Sequence, residues 1–226
     1  MSALLRMEAF AREEENTTLA ANGEPLPLTD FQFELLDLLE TAPVVSVSAP
    51  TSAGKSFIFA LEVTRRLKAR RSASIVYVVP TRALIRQLML LLRHELAKAH
   101  LNDTPVRCVP APLARPDAPN GIVYVLPQER LLGLLNSEEG EPWITAVIVD
   151  EAQSIREGSR GVLLHSAIDL VNARFPWCRS FLCESSRQKS RVSPQHLRSN
   201  SGRSLFRTFG RSLRKRSRVW HGGSIR

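Results

Sequence analysis

Val44-Val45-Ser46-Val47-Ser48-Ala49-Pro50-Thr51-Ser52-Ala53-Gly54-Lys55-Ser56 is the stretch on which the reading of this chain turns. Residues 44–48 are short and rich in β-branched side chains, which predicts a strand. From Lys55 to about Arg70, Phe59, Val63 and Leu67 fall at i, i+4 and i+8, which predicts a helix. Between the two, Ala49 to Ser56 follows the Walker A pattern G-x-x-x-x-G-K-[ST] except at its first position, where Ala49 stands for Gly. A strand, a glycine-containing loop and a helix start give that string a mechanism. Backbone N–H groups of the loop and first helical turn converge on phosphate oxygens, Lys55 reaches the β and γ phosphates, and the Ser56 hydroxyl ligates Mg²⁺.

Working outward, Thr29 is a candidate N-cap for a helix whose Phe31, Leu35, Leu36, Leu38 and Leu39 share one stripe, and Pro43 bars its continuation. Downstream, strands are predicted at 74–79, 106–109, 121–126, 146–149 and 180–183, with helices at 82–97, 128–135 and 161–173. Short strands apolar on both faces, alternating with helices, are the pattern of a mostly parallel sheet covered on both sides, an α/β fold. Ligands of such sheets gather at the carboxyl ends of the strands. That is also where a second signal lies: the apolar run Ala146 to Val149 delivers Asp150 and Glu151 to a strand end. One carboxylate can orient Mg²⁺ while the other polarises an attacking water. Thr81 and Arg82, just past another strand end and at a helix start, can offer a hydroxyl, N–H groups and a guanidinium to a nucleic-acid phosphate.

Four segments in this order and spacing resemble the DEAD/DEAH-box helicases of superfamily two. Ala49 to Ser56 resembles motif I, Pro80-Thr81-Arg82-Ala83-Leu84-Ile85-Arg86-Gln87 motif Ia, Leu126-Pro127-Gln128-Glu129-Arg130-Leu131 the Thr-Pro-Glu segment, and Asp150-Glu151-Ala152-Gln153 motif II in a DEAQ variant. The resemblance implies a RecA-like P-loop NTPase domain that uses ATP and Mg²⁺. Thr51, Ser52, Ala53, Gly54, Lys55 and Ser56 would cradle the phosphates, Ser56 and Asp150 would hold the metal, and Glu151 and Lys55 would serve catalysis. Gln153 would couple the γ-phosphate to a second motor domain, and Thr81 and Arg82 would touch the backbone of DNA or RNA. Gln32, 22 residues before Gly54 and preceded by Phe31, resembles the glutamine that reads the adenine edge.

The chain departs from that pattern after residue 183, where Cys183-Glu184-Ser185-Ser186 stands in place of Ser-Ala-Thr. The charge changes character as well. Of 31 Lys and Arg, 14 lie between Arg174 and Arg226, where Glu184 is the single acid, so the net +9 belongs to this end and the body before it is slightly acidic. The organisation expected is a flexible lead-in over 1–28, the ATP-binding domain over 29–183, and a basic Arg/Ser-rich tail over 184–226 that is too poor in apolar residues to extend the core. Two origins of the tail stay open, a shifted reading frame and an arginine-rich binding arm. A chain of this length would bind ATP but lack the second lobe needed to unwind. A P-loop ATPase acting on a non-nucleic-acid substrate, or a regulatory nucleotide-binding module, are the competing expectations. The 3 cysteines match no zinc or redox spacing, and no apolar run is long enough for a membrane span, so the expected location is cytoplasmic.

Overall fold

The computed structural model describes residues 14–70, 72–152 and 159–185. Their order is β1 (Thr17–Leu19), β2 (Pro25–Pro27), α1 (Asp30–Thr41), β3 (Val44–Ala49), α2 (Lys55–Ala69), β4 (Ser74–Val78), α3 (Arg82–Lys98), β5 (Val106–Arg107), β6 (Ile122–Leu126), α4 (Gln128–Leu135), β7 (Ala146–Val149), α5 (Ser159–Arg174) and β8 (Arg179–Ser185). The main sheet has six strands in the order β3-β8-β7-β4-β6-β5, and every neighbouring pair is parallel. This is a RecA-like α/β fold of P-loop NTPase topology.

The two-residue side-chain period of each strand divides the core. Val45, Val47, Ala49, Ile75, Tyr77, Ile148, Phe181 and Cys183 pack with α1, α2 and α3 on one face. Val76, Val78, Tyr124, Val147, Val149 and Leu182 pack with α4 and α5 on the other. The helices start as their residues dictate. Thr29 caps α1 through a full capping box, accepting from Gln32 N–H while the Gln32 side chain accepts from Thr29 N–H. The last carbonyls of α1, where no basic residue occupies the final turn, are met from outside. Arg66 donates to Leu39 O at 2.8 Å and Arg179 to Glu40 O at 2.7 Å, so α1 is tied to α2 and to the start of β8. Arg66 also lies 5.1 Å over the Phe181 ring and 2.5 Å from the buried Glu62 carboxylate. At the end of α3, His100 takes φ 59 in a Schellman turn, with Leu101 N–H on Leu96 O and His100 N–H on Ala97 O.

Two elements differ from the sequence reading, one within residues 14–28 and one at the strand expected over 106–109. Residues 17–27 form an antiparallel ribbon, anchored on α2 by Arg65 to the Thr18 hydroxyl and by Lys68 to Ala21 O. The two prolines of β2, Pro25 and Pro27, argue against a strand in sequence, and they are tolerated because a two-stranded ribbon has free outer edges. The strand expected over 106–109 ends at Arg107, and Cys108 O is instead taken by Arg130 at 2.7 Å. The segment from Ser186 onward, including nearly all of the basic tail, lies outside the described residues. Among those described, no helix is long and apolar enough to cross a membrane.

Candidate nucleotide site

β3, β8, β7 and β4 are consecutive in the sheet, and their carboxyl ends carry the functional candidates. Past β3 the chain makes a single 3-10 turn over Thr51, Ser52 and Ala53, closed by Ala53 N–H on Pro50 O at 3.0 Å. Gly54 follows at φ 76, ψ 23, the left-handed region that a residue without Cβ enters at least cost. Ala49 is the final residue of β3, paired with Ser185 and 1% exposed. Its φ is not positive, which explains why the first Walker position accepts Ala.

Lys55 opens α2 with its ammonium turned inward, only 3% exposed. Nζ donates to Ala49 O at 2.6 Å and Pro50 O at 2.8 Å and lies 3.4 Å from the Ser185 hydroxyl. All these partners are neutral oxygens. Ser56, one residue on, places Oγ 3.4 Å from Asp150 Oδ2, across 94 residues of sequence. The other oxygen, Oδ1, accepts the Glu151 N–H at 2.9 Å. Burial lifts the Asp150 pKa from its ordinary value, with the Glu151 N–H and the Lys55 charge pulling the other way.

Glu151 has φ 52, a conformation costing an L-residue roughly 1–2 kcal/mol. Its carboxylate accepts a 2.7 Å hydrogen bond from the Ser185 hydroxyl. Ser185 therefore joins the lysine of the loop to the acid of the later strand, from the segment Cys183-Glu184-Ser185-Ser186 that stands in place of Ser-Ala-Thr. The signal available in sequence was a pair of serines, Ser185 and Ser186, at the strand end. Gln32, expected at the adenine edge, lies against the loop with both ends of its amide engaged: Oε1 accepts from Thr29 N–H and Nε2 donates to Ala53 O, each at 3.2 Å. A base edge would meet the remaining Oε1 lone pair and the second Nε2 hydrogen. Gln153 lies outside the described residues.

Thr81 caps α3, accepting from Leu84 N–H at 3.4 Å, which leaves its hydroxyl proton free to donate. Arg82 is exposed beside it, with no ion pair among the described residues. Thr81 and Arg82 thus stand at the same end of the sheet as the phosphate-loop cluster, past the strand next to β7.

The donor set fits a magnesium–triphosphate group. A buried ammonium that contacts no anion among the described residues sits beside one hydroxyl and one carboxylate that approach each other. Mg²⁺ characteristically takes one or two protein oxygens and completes its shell with phosphate and water. No group of three or more His, Cys, Asp or Glu able to hold a metal without such help occurs among the described residues.

A family model described as DEAD/DEAH box helicase matches residues 29–189. The DExH-box ATP-dependent RNA helicase DExH9 of Arabidopsis thaliana is 27% identical over 158 residues, 69% of this chain and 15% of that protein. Among solved structures, the DEAD-box helicase Mss116 bound to ssRNA and UDP-BeF aligns with a TM-score of 0.58 at 16% identity, over 80% of this chain and 38% of that one. The second likeness is one of fold, and the chain spans less than half the length of either relative. With a family match that runs from the Thr29 cap to beyond β8, this chain belongs to the DEAD/DEAH box helicases.

Proposed function

We propose that residues 29–185 are the ATP-binding lobe of a nucleic-acid-dependent ATPase of the helicase type, holding Mg-ATP at the carboxyl ends of β3 and β7 and a polynucleotide backbone beside the start of α3. The observation that carries this is the 3.4 Å approach of Ser56 Oγ to Asp150 Oδ2, with the buried Lys55 ammonium on one side and Glu151 on the other. Lys55 and the loop N–H groups bind phosphate, Ser56 and Asp150 hold the metal, Glu151 orients the water, and Ser185 fixes Glu151 against the lysine side. Bound Mg²⁺ would neutralise phosphate charge as it develops. Thr81 and Arg82 contact phosphate without reading bases.

RNA is the first polynucleotide to try. The Arabidopsis relative is by its name an RNA helicase, and the solved relative holds ssRNA. Coupling to the second lobe through Gln153, and unwinding itself, belong to the assembled motor.

The test is ATP binding and turnover by the 226-residue chain, with and without Mg²⁺ and single-stranded RNA. A version ending at Lys189 removes the trivial attraction of the basic tail while keeping β8. Lys55→Ala should lower ATP affinity by about 10- to 150-fold, the loss expected for a charge-assisted contact to phosphate worth about 1.5–3 kcal/mol. Well-folded protein that binds no ATP, or binds it equally well after Lys55→Ala, rules out this function. RNA that leaves nucleotide affinity and turnover unchanged in the shortened chain removes the nucleic-acid half.

A further inference from the structure

Tyr77 is the one hydroxyl-bearing residue in the otherwise apolar Ile75 to Val79 run, and its environment shows what the hydroxyl does. The strand is buried on both faces, and Tyr77 is 0% exposed. A phenol there must find a partner or bear the cost of desolvation, and an aliphatic residue would fill the space without that burden. The ring is held edge-on against Phe59 of α2, centroids 6.3 Å apart at 86°, so the hydroxyl has little freedom. Tyr77 pairs with Ile148 in the sheet register, and Asp150 lies two residues on, toward the same face. The Tyr77 hydroxyl accordingly meets Asp150 Oδ2, at 3.4 Å, and borders Ser56 of the first turn of α2.

We propose that Tyr77 is a positioning residue for the magnesium-binding pair: its hydroxyl, approaching from inside the core, fixes the orientation of the Asp150 carboxylate beside Ser56. This rests on the Mg-ATP function proposed above. The division of the carboxylate supports it. Oδ1 is held by the Glu151 N–H and Oδ2 is faced by two hydroxyls, Ser56 from the helix and Tyr77 from the sheet, each at 3.4 Å, while the buried Cys183 thiol of β8 also bonds the carboxylate. Those two distances are long for O–H···O bonds, and contacts of this kind in catalytic sites tighten on binding. What they supply is direction. The terminal torsion of an aspartate is a broad two-fold rotor, and a fixed donor on the protein side narrows it before metal arrives. The sheet strand that ends near Thr81 thereby acts on the metal site as well as on the nucleic-acid side.

The test is equilibrium binding of ATP to the full chain as a function of free Mg²⁺, for the wild type, Tyr77→Phe and Asp150→Asn. Phe keeps the ring and its contact with Phe59 and deletes only the hydroxyl. The expected result is an increase of about tenfold in the Mg²⁺ concentration at half-maximal ATP binding for Tyr77→Phe, the size seen when a group supporting a metal ligand is removed. Its ATP affinity in EDTA and its urea midpoint should match those of the wild type, while Asp150→Asn should abolish the Mg²⁺ dependence. Either an unchanged Mg²⁺ midpoint in Tyr77→Phe, or an equal loss of ATP affinity with and without Mg²⁺, would overturn the proposal while the site stands. A wild type whose ATP binding ignores Mg²⁺ would overturn both.

Discussion

Gly54 and Gln32 should behave as a coupled pair. A Cβ added at Gly54 would fall 2.4 Å from Gln32 Nε2, and the residue stands at φ 76. Gly54→Ala therefore meets two costs. The left-handed backbone costs an alanine about 1–2 kcal/mol. The methyl also displaces the Gln32 amide, ending its bond to Ala53 O, which adds about 1 kcal/mol. The single variant should lose about 2–3 kcal/mol of unfolding free energy in urea titrations at unchanged slope. In a Gln32→Ala background there is no amide to displace, so the same change should cost only the backbone share, about 1–2 kcal/mol. The cycle then yields a coupling near 1 kcal/mol, above the additivity error of about 0.3–0.5 kcal/mol. Equal costs in the two backgrounds would show that Gln32 does not rest on the loop and would refute the geometry.

Two further changes test the scaffold. His100→Gly relieves the left-handed residue at the end of α3 and should raise stability by about 1 kcal/mol, read as a higher urea midpoint with nucleotide binding unchanged. Glu62→Ala leaves Arg66 without its buried carboxylate at a point where burial already raises the Glu62 pKa against the opposing pull of Arg66. It should cost about 3 kcal/mol by the same titration, and a loss well below that would mean that water reaches the pair.

The outline was legible because each level of sequence signal agreed with the next. The α1 cap, the Walker string between strand and helix, and the apolar runs of β4, β6 and β7 all predicted elements that the structure contains, with ends moved by a residue or two. What stayed hidden depended on register. Tyr77 reads as one more sheet residue until the pairing of β4 with β7 shows its hydroxyl two residues short of Asp150. Ser185 reads as the start of a polar tail until β8 is placed between β3 and β7. Gln32 reads as a solvent-facing or base-reading amide, and the fold shows it bracing the loop from within the capping box.

The position of β8 also dictates a timetable. Among the described residues it is the last strand of the sheet in chain order, yet it lies between the strand that carries the phosphate loop and the strand that carries the acids. On a ribosome, residues 44–152 can emerge and collapse while their two half-sites are still apart. On the function proposed above, nucleotide capture would wait for Arg179–Ser185 to leave the exit tunnel and thread between neighbours already made. Nascent chains arrested before Arg179 should be deaf to ATP, and those released a few dozen residues later should gain protease resistance when it is added.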